Sequence, residues 1–360
     1  MNSFFSKLSN SSIFIFIFIF FSLKIIFYVL VQANLIPAGL GGGSDADYYH
    51  TYAIGMTDMA VNIWPVILRF FNEMGLYSRE YFSFILFLLN LIIIPLFSAK
   101  ISGLDFKTNQ KQYLILVLIC TLYPTLFFYS LDIYRDVFRV FLFLLGAFFV
   151  KQALKTNELL VFLGLYVFSV IIGLFLLQLR PYLGYAFLLS LIAWKIKFTK
   201  KRLIVYGFLY FIALFLANLL GLLESLTEYR SGFEEAGGGS TLGLNFSNPV
   251  MFLPNFILSI LGQLFGLYIT NPIALLLLII ETLPFMFMLS YIIKNIRDLD
   301  GFGRFLIIFF VLYASVWLIG NDNLGTAVRL RLYNYLAVYI CFFYILRLKE
   351  KMEYQQVIIK

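Results

Sequence analysis

The chain has 360 residues, of which 62% are hydrophobic, 19% aromatic and only 13% charged, far short of the roughly 25% charged content of a soluble domain. The net charge of +8 gives no sign of a nucleic-acid partner, because the basic residues stand in short loops between apolar stretches rather than on a polar domain. Composition therefore predicts an all-α, polytopic membrane protein, one transmembrane domain over 1–360, in which apolar runs of about 17–25 residues each cross a hydrocarbon core about 30 Å thick.

The first run, 12–32, is too long for the core of a signal peptide and is expected to stay as an anchor. Its IFIFIFIFF alternation has the period of a strand, but an isolated strand in lipid leaves its backbone groups unpaired, so a helix is expected. A polar loop over about 33–79 follows, containing GGGSDADYYHTY and then an amphipathic piece over 61–74. Further spans are expected near 80–97, 112–130, 137–154, 158–178, 181–197 and 203–222. A second long loop, about 223–271, includes the apolar segment 251–268, read as a re-entrant or interfacial helix. Spans near 272–293, 305–320 and 332–347 bring the total to about ten.

With both termini in the cytoplasm, most of the 27 basic residues fall on the cytoplasmic side, among them Lys100, Lys107, Lys151, Lys200, Lys201, Arg202, Lys294 and Arg304. That is the positive-inside arrangement of a bacterial inner-membrane protein, with both long loops in the periplasm. Counting 251–268 as a full span would invert the last helices and move Lys294, Arg297 and Arg304 outside.

Every basic residue on the expected outer side is arginine: Arg69, Arg79, Arg135, Arg139, Arg180, Arg230, Arg329 and Arg331. Topology does not require this, whereas a planar fork of donors suits phosphate and pyrophosphate oxygens better than a lysine point charge. Arg135, Arg139, Arg180, Arg329 and Arg331 stand near the starts of inward-running helices, whose free amides also attract anions, and are the candidate pyrophosphate-binding set. Pairing with carboxylates is the competing reading: Asp132 and Asp136 share the four-residue spacing of Arg135 and Arg139 and would lie beside them on one helical face. Arg329 and Arg331 are two apart, so on a regular helix they face nearly opposite ways.

Asp45, Asp47 and His50 form a candidate base cluster, competing with a merely solvated loop. No transition-metal ligand set is evident and no cofactor is expected, although the two aspartates leave a divalent oxygen site open. The GGGS tetrapeptides at 41–44 and 237–240 read as hinges or as an anion nest. Lys24 and Glu281 are the ionisable residues expected inside the bilayer, about 12–14 Å deep at about 1.5 Å per residue, and mutual pairing is the economical expectation. Cys120 and Cys341 both fall in spans, and neither a Walker loop nor a serine-hydrolase elbow is present.

The stretches YPTLFFYSLDIYRDVFRVFLF, LRPYLGY and NLGTAVRLR, in that order on an Ile- and Phe-rich chain with two long outer loops, resemble the Wzy-type O-antigen polymerases. The resemblance implies an enzyme that joins undecaprenyl-diphosphate-linked oligosaccharide repeat units at the periplasmic face, with a chain-length regulator as a further partner. Two other classes fit parts of the pattern. An integral-membrane glycosyltransferase using a polyprenyl-phosphate sugar would also place acids in its first outer loop. A lipid-linked oligosaccharide flippase would need charge along a central cavity, which this chain largely lacks.

Overall fold

A computed structural model describes residues 8–36, 45–235, 240–246 and 248–359, without the side chains of 233–235 and 353–359. The described chain is helical throughout and has no strand, only an isolated antiparallel bridge between Thr241 and Asn323. Six helices are long and apolar enough to cross a membrane: α1 (Asn10–Gln32), α4 (Arg79–Ser102), α8 (Leu159–Leu179), α10 (Lys200–Leu219), α13 (Pro272–Lys294) and α14 (Gly301–Gly320). Between them lie α2 (Asp45–Ala53), α3 (Ile63–Glu73), α5 (Gln110–Leu122), α6 (Pro124–Phe128) and α7 (Arg135–Ala153). The remainder are α9 (Pro181–Ala193), α11 (Glu224–Glu235), α12 (Pro249–Leu264) and α15 (Leu324–Ile359). Every apolar run read as a span is helical, and so is the core of 251–268.

Local chemistry sets the boundaries. The IFIFIFIFF run is helical in α1, which begins where the Ser9 hydroxyl accepts the Ser12 amide at 3.0 Å. Ser78 caps α4 the same way, accepting from the Tyr81 amide at 3.0 Å. The run 112–130 is not one helix: Pro124 forces Tyr123 into an extended conformation, which separates α5 from α6.

The chain divides into two compact units, residues 1–184 with 346–360, and residues 185–345. In the first, α1 and α4 both pack on α5, and α7 packs closely along α8. In the second, α14 is buried along most of its length and receives α11 and α12, whereas no side chain of α10 is buried.

Among the described residues three helices contain a π-turn, and each turn carries a buried polar side chain: Asn90 within Leu89–Ile93, Gln263 within Ile260–Leu264 and Glu281 within Leu278–Thr282. A π-turn inserts an extra residue and rotates the helix face that follows. Each polar group meets a partner of matching chemistry. Asn90 donates to the Ser130 hydroxyl at 3.0 Å, and Gln263 donates to the Ser259 hydroxyl and the Asn321 carbonyl at 2.7 and 2.8 Å. Glu281 accepts from Arg331 at 3.2 Å.

Of the two ionisable residues expected inside the bilayer, Lys24, in the first unit, has its ammonium 4.9 Å from the centre of the Phe127 ring with no hydrogen-bond partner among the described residues, and Glu281, in the second unit, pairs with Arg331.

Candidate functional site

The first unit gathers three arginines at one end of α7 and α8. Arg135 opens α7, Arg139 follows one turn later, and Arg180 stands at the sharp reversal between α8 and α9. The reversal depends on Gly184: a Cβ there would lie 2.3 Å from backbone atoms of Leu177, so only glycine lets the start of α9 fold against the end of α8. Pro181 suits the first turn of α9, where no backbone donor is needed.

Within this group the three side chains do different things. Arg139 and Asp136, both without solvent exposure, form a buried ion pair. Arg180 is buried, its guanidinium 5.2 Å from the Tyr182 ring centre. Arg135 is half-buried and makes one long hydrogen bond, 3.4 Å, to the Leu179 carbonyl. Its Nε is buried and has no hydrogen-bond partner among the described residues. The charges that act on Arg135 are those of Arg139 and Arg180, with Asp136 the opposing carboxylate. Three arginines thus gather near Asp136 in a largely desolvated place, and the positive charge of two of them acts on the third, Arg135.

The backbone adds to it. Tyr134 precedes α7 without capping it through its side chain, at the end of the helix whose first amides have no intrahelical acceptor. Tyr49 of α2 is buried beside this group, its ring centre 6.0 Å from the Arg135 guanidinium. Burial pushes the Tyr49 phenol up from its ordinary value, and Arg135 opposes that only in part. Tyr49 thus presents a neutral hydroxyl beside the arginines.

The acidic cluster is split by the helical geometry of α2. Asp47 and His50 share one face, where Asp47 accepts from Arg79 at 2.7 Å and His50 Nδ1 stands 2.9 Å from the Tyr77 hydroxyl. Asp45 lies on the Tyr49 side and contributes to the field there with Arg135, Arg139 and Asp136. Arg79 is gripped by Asp132, Nε to Oδ1 at 2.9 Å and Nη2 to Oδ2 at 2.5 Å. Asp132 is therefore not part of a carboxylate stripe on α7; it sits in the turn before that helix and points to another partner. The roles of Arg79 and Tyr49 were not legible, since the first reads as a helix start and the second as one tyrosine among 24.

Arg329 and Arg331 belong to the second unit, on the regular helix α15, where their spacing sends them different ways. Arg331 is buried, paired with Glu281, and 5.3 Å from the Tyr335 ring centre. Gly266, with φ of +59°, passes so close that a Cβ would lie 2.7 Å from Arg331 Nη1. Arg329 is half-buried. The first GGGS lies outside the described residues, as does all of the second but Ser240. Among the described residues no three His, Cys, Asp or Glu side chains gather as a metal would require.

No family model, curated protein or solved structure matches this chain.

Proposed function

We propose that the protein is a glycosyltransferase that polymerises undecaprenyl-diphosphate-linked oligosaccharide repeat units into O-antigen or a related surface polysaccharide. The observation that carries the reading is the Arg135, Arg139 and Arg180 group at the start of α7, in which the buried Arg135 Nε has no hydrogen-bond partner among the described residues. A pyrophosphate, held at the membrane surface by its lipid, is an anion of suitable charge and shape for such a group. The sequence resemblance supports the choice of substrate.

In the proposed reaction a hydroxyl oxygen of the incoming unit attacks the anomeric carbon of the growing chain. A new C–O bond forms, the bond to the pyrophosphate breaks, and undecaprenyl diphosphate leaves with that electron pair. Arg135 and Arg180 stabilise the charge that collects on the departing oxygens. Asp45 is the member of its cluster assigned to take the hydroxyl proton, because it lies on the Tyr49 side of α2, where Arg135 and Arg139 also act. In the second unit Arg331 pairs with Glu281, and Arg329 and Arg331 are the candidates there for an anionic ligand. In the same proposal the chain makes about ten crossings of the bacterial inner membrane with both termini in the cytoplasm, and 251–268 does not span.

Membranes supplied with undecaprenyl-diphosphate-linked repeat units test the reading by the ladder of products formed. Arg135→Ala is expected to lose about 10-fold or more in rate, the worth of one charge-assisted hydrogen bond at about 1.5–3 kcal/mol. Arg135→Lys is expected to recover only part of it, since lysine keeps the charge and loses the fork. Unchanged ladders in Arg135→Ala and Arg180→Ala at normal protein levels would refute the site. In the native host, gene deletion should leave surface lipid with at most one repeat unit. A truncated unit would indicate instead a transferase that builds the unit from a polyprenyl-phosphate sugar.

A further inference from the structure

Helix α3 carries apolar side chains over more than half of its circumference. At about 100° per residue, Trp64, Leu68 and Phe71 share one arc, Val66, Phe70 and Met74 another, and Asn72, Arg69 and Glu73 form a polar strip between them. The first arc is seated on the protein. Trp64 is 2% exposed, donates its indole N–H to the Ile133 carbonyl at 2.8 Å and lies 5.0 Å from the Phe138 ring; Phe71 lies 5.2 Å from Phe82. The second arc is open: Val66 is 41% exposed, Phe70 56% and Met74 48%.

What covers the open arc follows from where α3 is held. Ile133 and Phe138 are at the beginning of α7, Phe82 is in the first turn of α4, and α3 also touches α8. Helix α3 is about 16 Å long and meets the beginnings of both α7 and α4, which places it at that end of the bundle. Helices α8 and α4, both long and apolar enough to cross a membrane, expose Ile171 and Leu174 and Tyr81 and Phe84, so the open arc adds to apolar surface exposed on the helices that α3 touches. The polar strip is internally neutralised: Arg69 bonds Asp58 at 3.0 Å and reaches Glu73 at 3.6 Å.

We infer that α3 is an in-plane membrane helix, with Val66, Phe70 and Met74 inserted at the boundary between headgroups and acyl chains and the Arg69–Glu73 strip facing water. The occupant of the apolar face is the lipid bilayer, and the inference holds whatever reaction the protein catalyses. Loop 54–78 is then a membrane-bound collar at the end of the bundle that holds Arg135 and Arg180, not a solvated linker.

The test uses the full chain in vesicles of phosphatidylethanolamine and phosphatidylglycerol. Val66→Cys, Phe70→Cys and Met74→Cys, each labelled with an environment-sensitive fluorophore, are compared with Glu73→Cys and Asp58→Cys; Cys120 and Cys341 are buried and stay unlabelled. Labels at 66, 70 and 74 should be quenched several-fold more by lipids with a doxyl group near the headgroup than by aqueous iodide, with the order reversed at 73 and 58. Iodide reaching 70 and 74 as freely as 73 would overturn the inference. So would stronger quenching by deep doxyl groups than by shallow ones. Protection from both quenchers would also overturn it, and energy transfer rising with the protein-to-lipid ratio would then identify a second copy as the covering surface.

Discussion

Replacing Arg230 tests whether the polar groups of the second unit act as one clamp. Arg230, on α11, is buried and donates Nε to the Leu244 carbonyl at 2.9 Å and Nη1 to the carbonyls of Leu318, Ile319 and Asn321 at 3.2, 3.3 and 2.6 Å. Its Nη2 pairs with Asp322, which has no solvent exposure and also accepts the Gly243 amide at 3.0 Å. The carbonyls are those left open at the end of α14, so one side chain caps that helix, fixes the turn into α15 and holds the 240–246 segment. Arg230→Ala strands a buried carboxylate and several carbonyls, a loss of about 3–5 kcal/mol. For a unit of this size that corresponds to a drop in apparent Tm on the order of 10 °C. Arg230→Lys restores the charge but reaches fewer acceptors and should recover less than half of the loss. Arg230→Met with Asp322→Leu removes both charges and should be more stable than Arg230→Ala alone. Heating in detergent followed by size-exclusion chromatography gives the surviving fraction. Arg230→Ala within 2 °C of the parent, a change of about 1 kcal/mol or less, would refute the clamp.

Other perturbations have expected outcomes of graded size. Gly266→Ala combines a left-handed backbone with a Cβ pressed against the Arg331 guanidinium, so it should lower abundance, and a thermal profile equal to the parent's would contradict that. Lys24→Met removes a buried ammonium without a hydrogen-bond partner and should leave abundance unchanged or raised, while Glu281→Leu strands Arg331 and should lower it. Combining the two tests the expected Lys24–Glu281 pairing: a rescue of Glu281→Leu by Lys24→Met would show that the groups meet, and strictly additive effects that they do not. Asp132→Ala breaks the two-pronged grip on Arg79 and should cost about 2 kcal/mol, whereas Asp47→Ala removes an exposed partner and should cost about 1 kcal/mol or less. Equal effects in the same heating assay would mean that burial does not set their rank.

Helicity was legible because lipid tolerates no unpaired backbone: that single constraint turns the IFIFIFIFF alternation of α1 into a helix against its own period. The gathering of Arg135, Arg139 and Arg180 was legible in part, since four-residue spacing and the Arg180–Pro181 reversal are local features. Pairing was not. Asp136 meets Arg139, as one of the two readings had it, but Asp132 falls one residue before Ile133 and two before Tyr134, outside α7, and so turns to Arg79. Asn90, Gln263 and Glu281 show the same limit more sharply. Each lies in a π-turn, and a single inserted residue rotates a helix face by about 100°, enough to exchange the inside for the outside. Nothing in the hydropathy of α13 announces that insertion, because the residues around Glu281 are apolar on every side. In a chain so poor in charge, each buried polar group must find one of a few others, which makes the set of candidates readable. The choice within the set is made by turns one residue long, as the meeting of Glu281 with Arg331 illustrates.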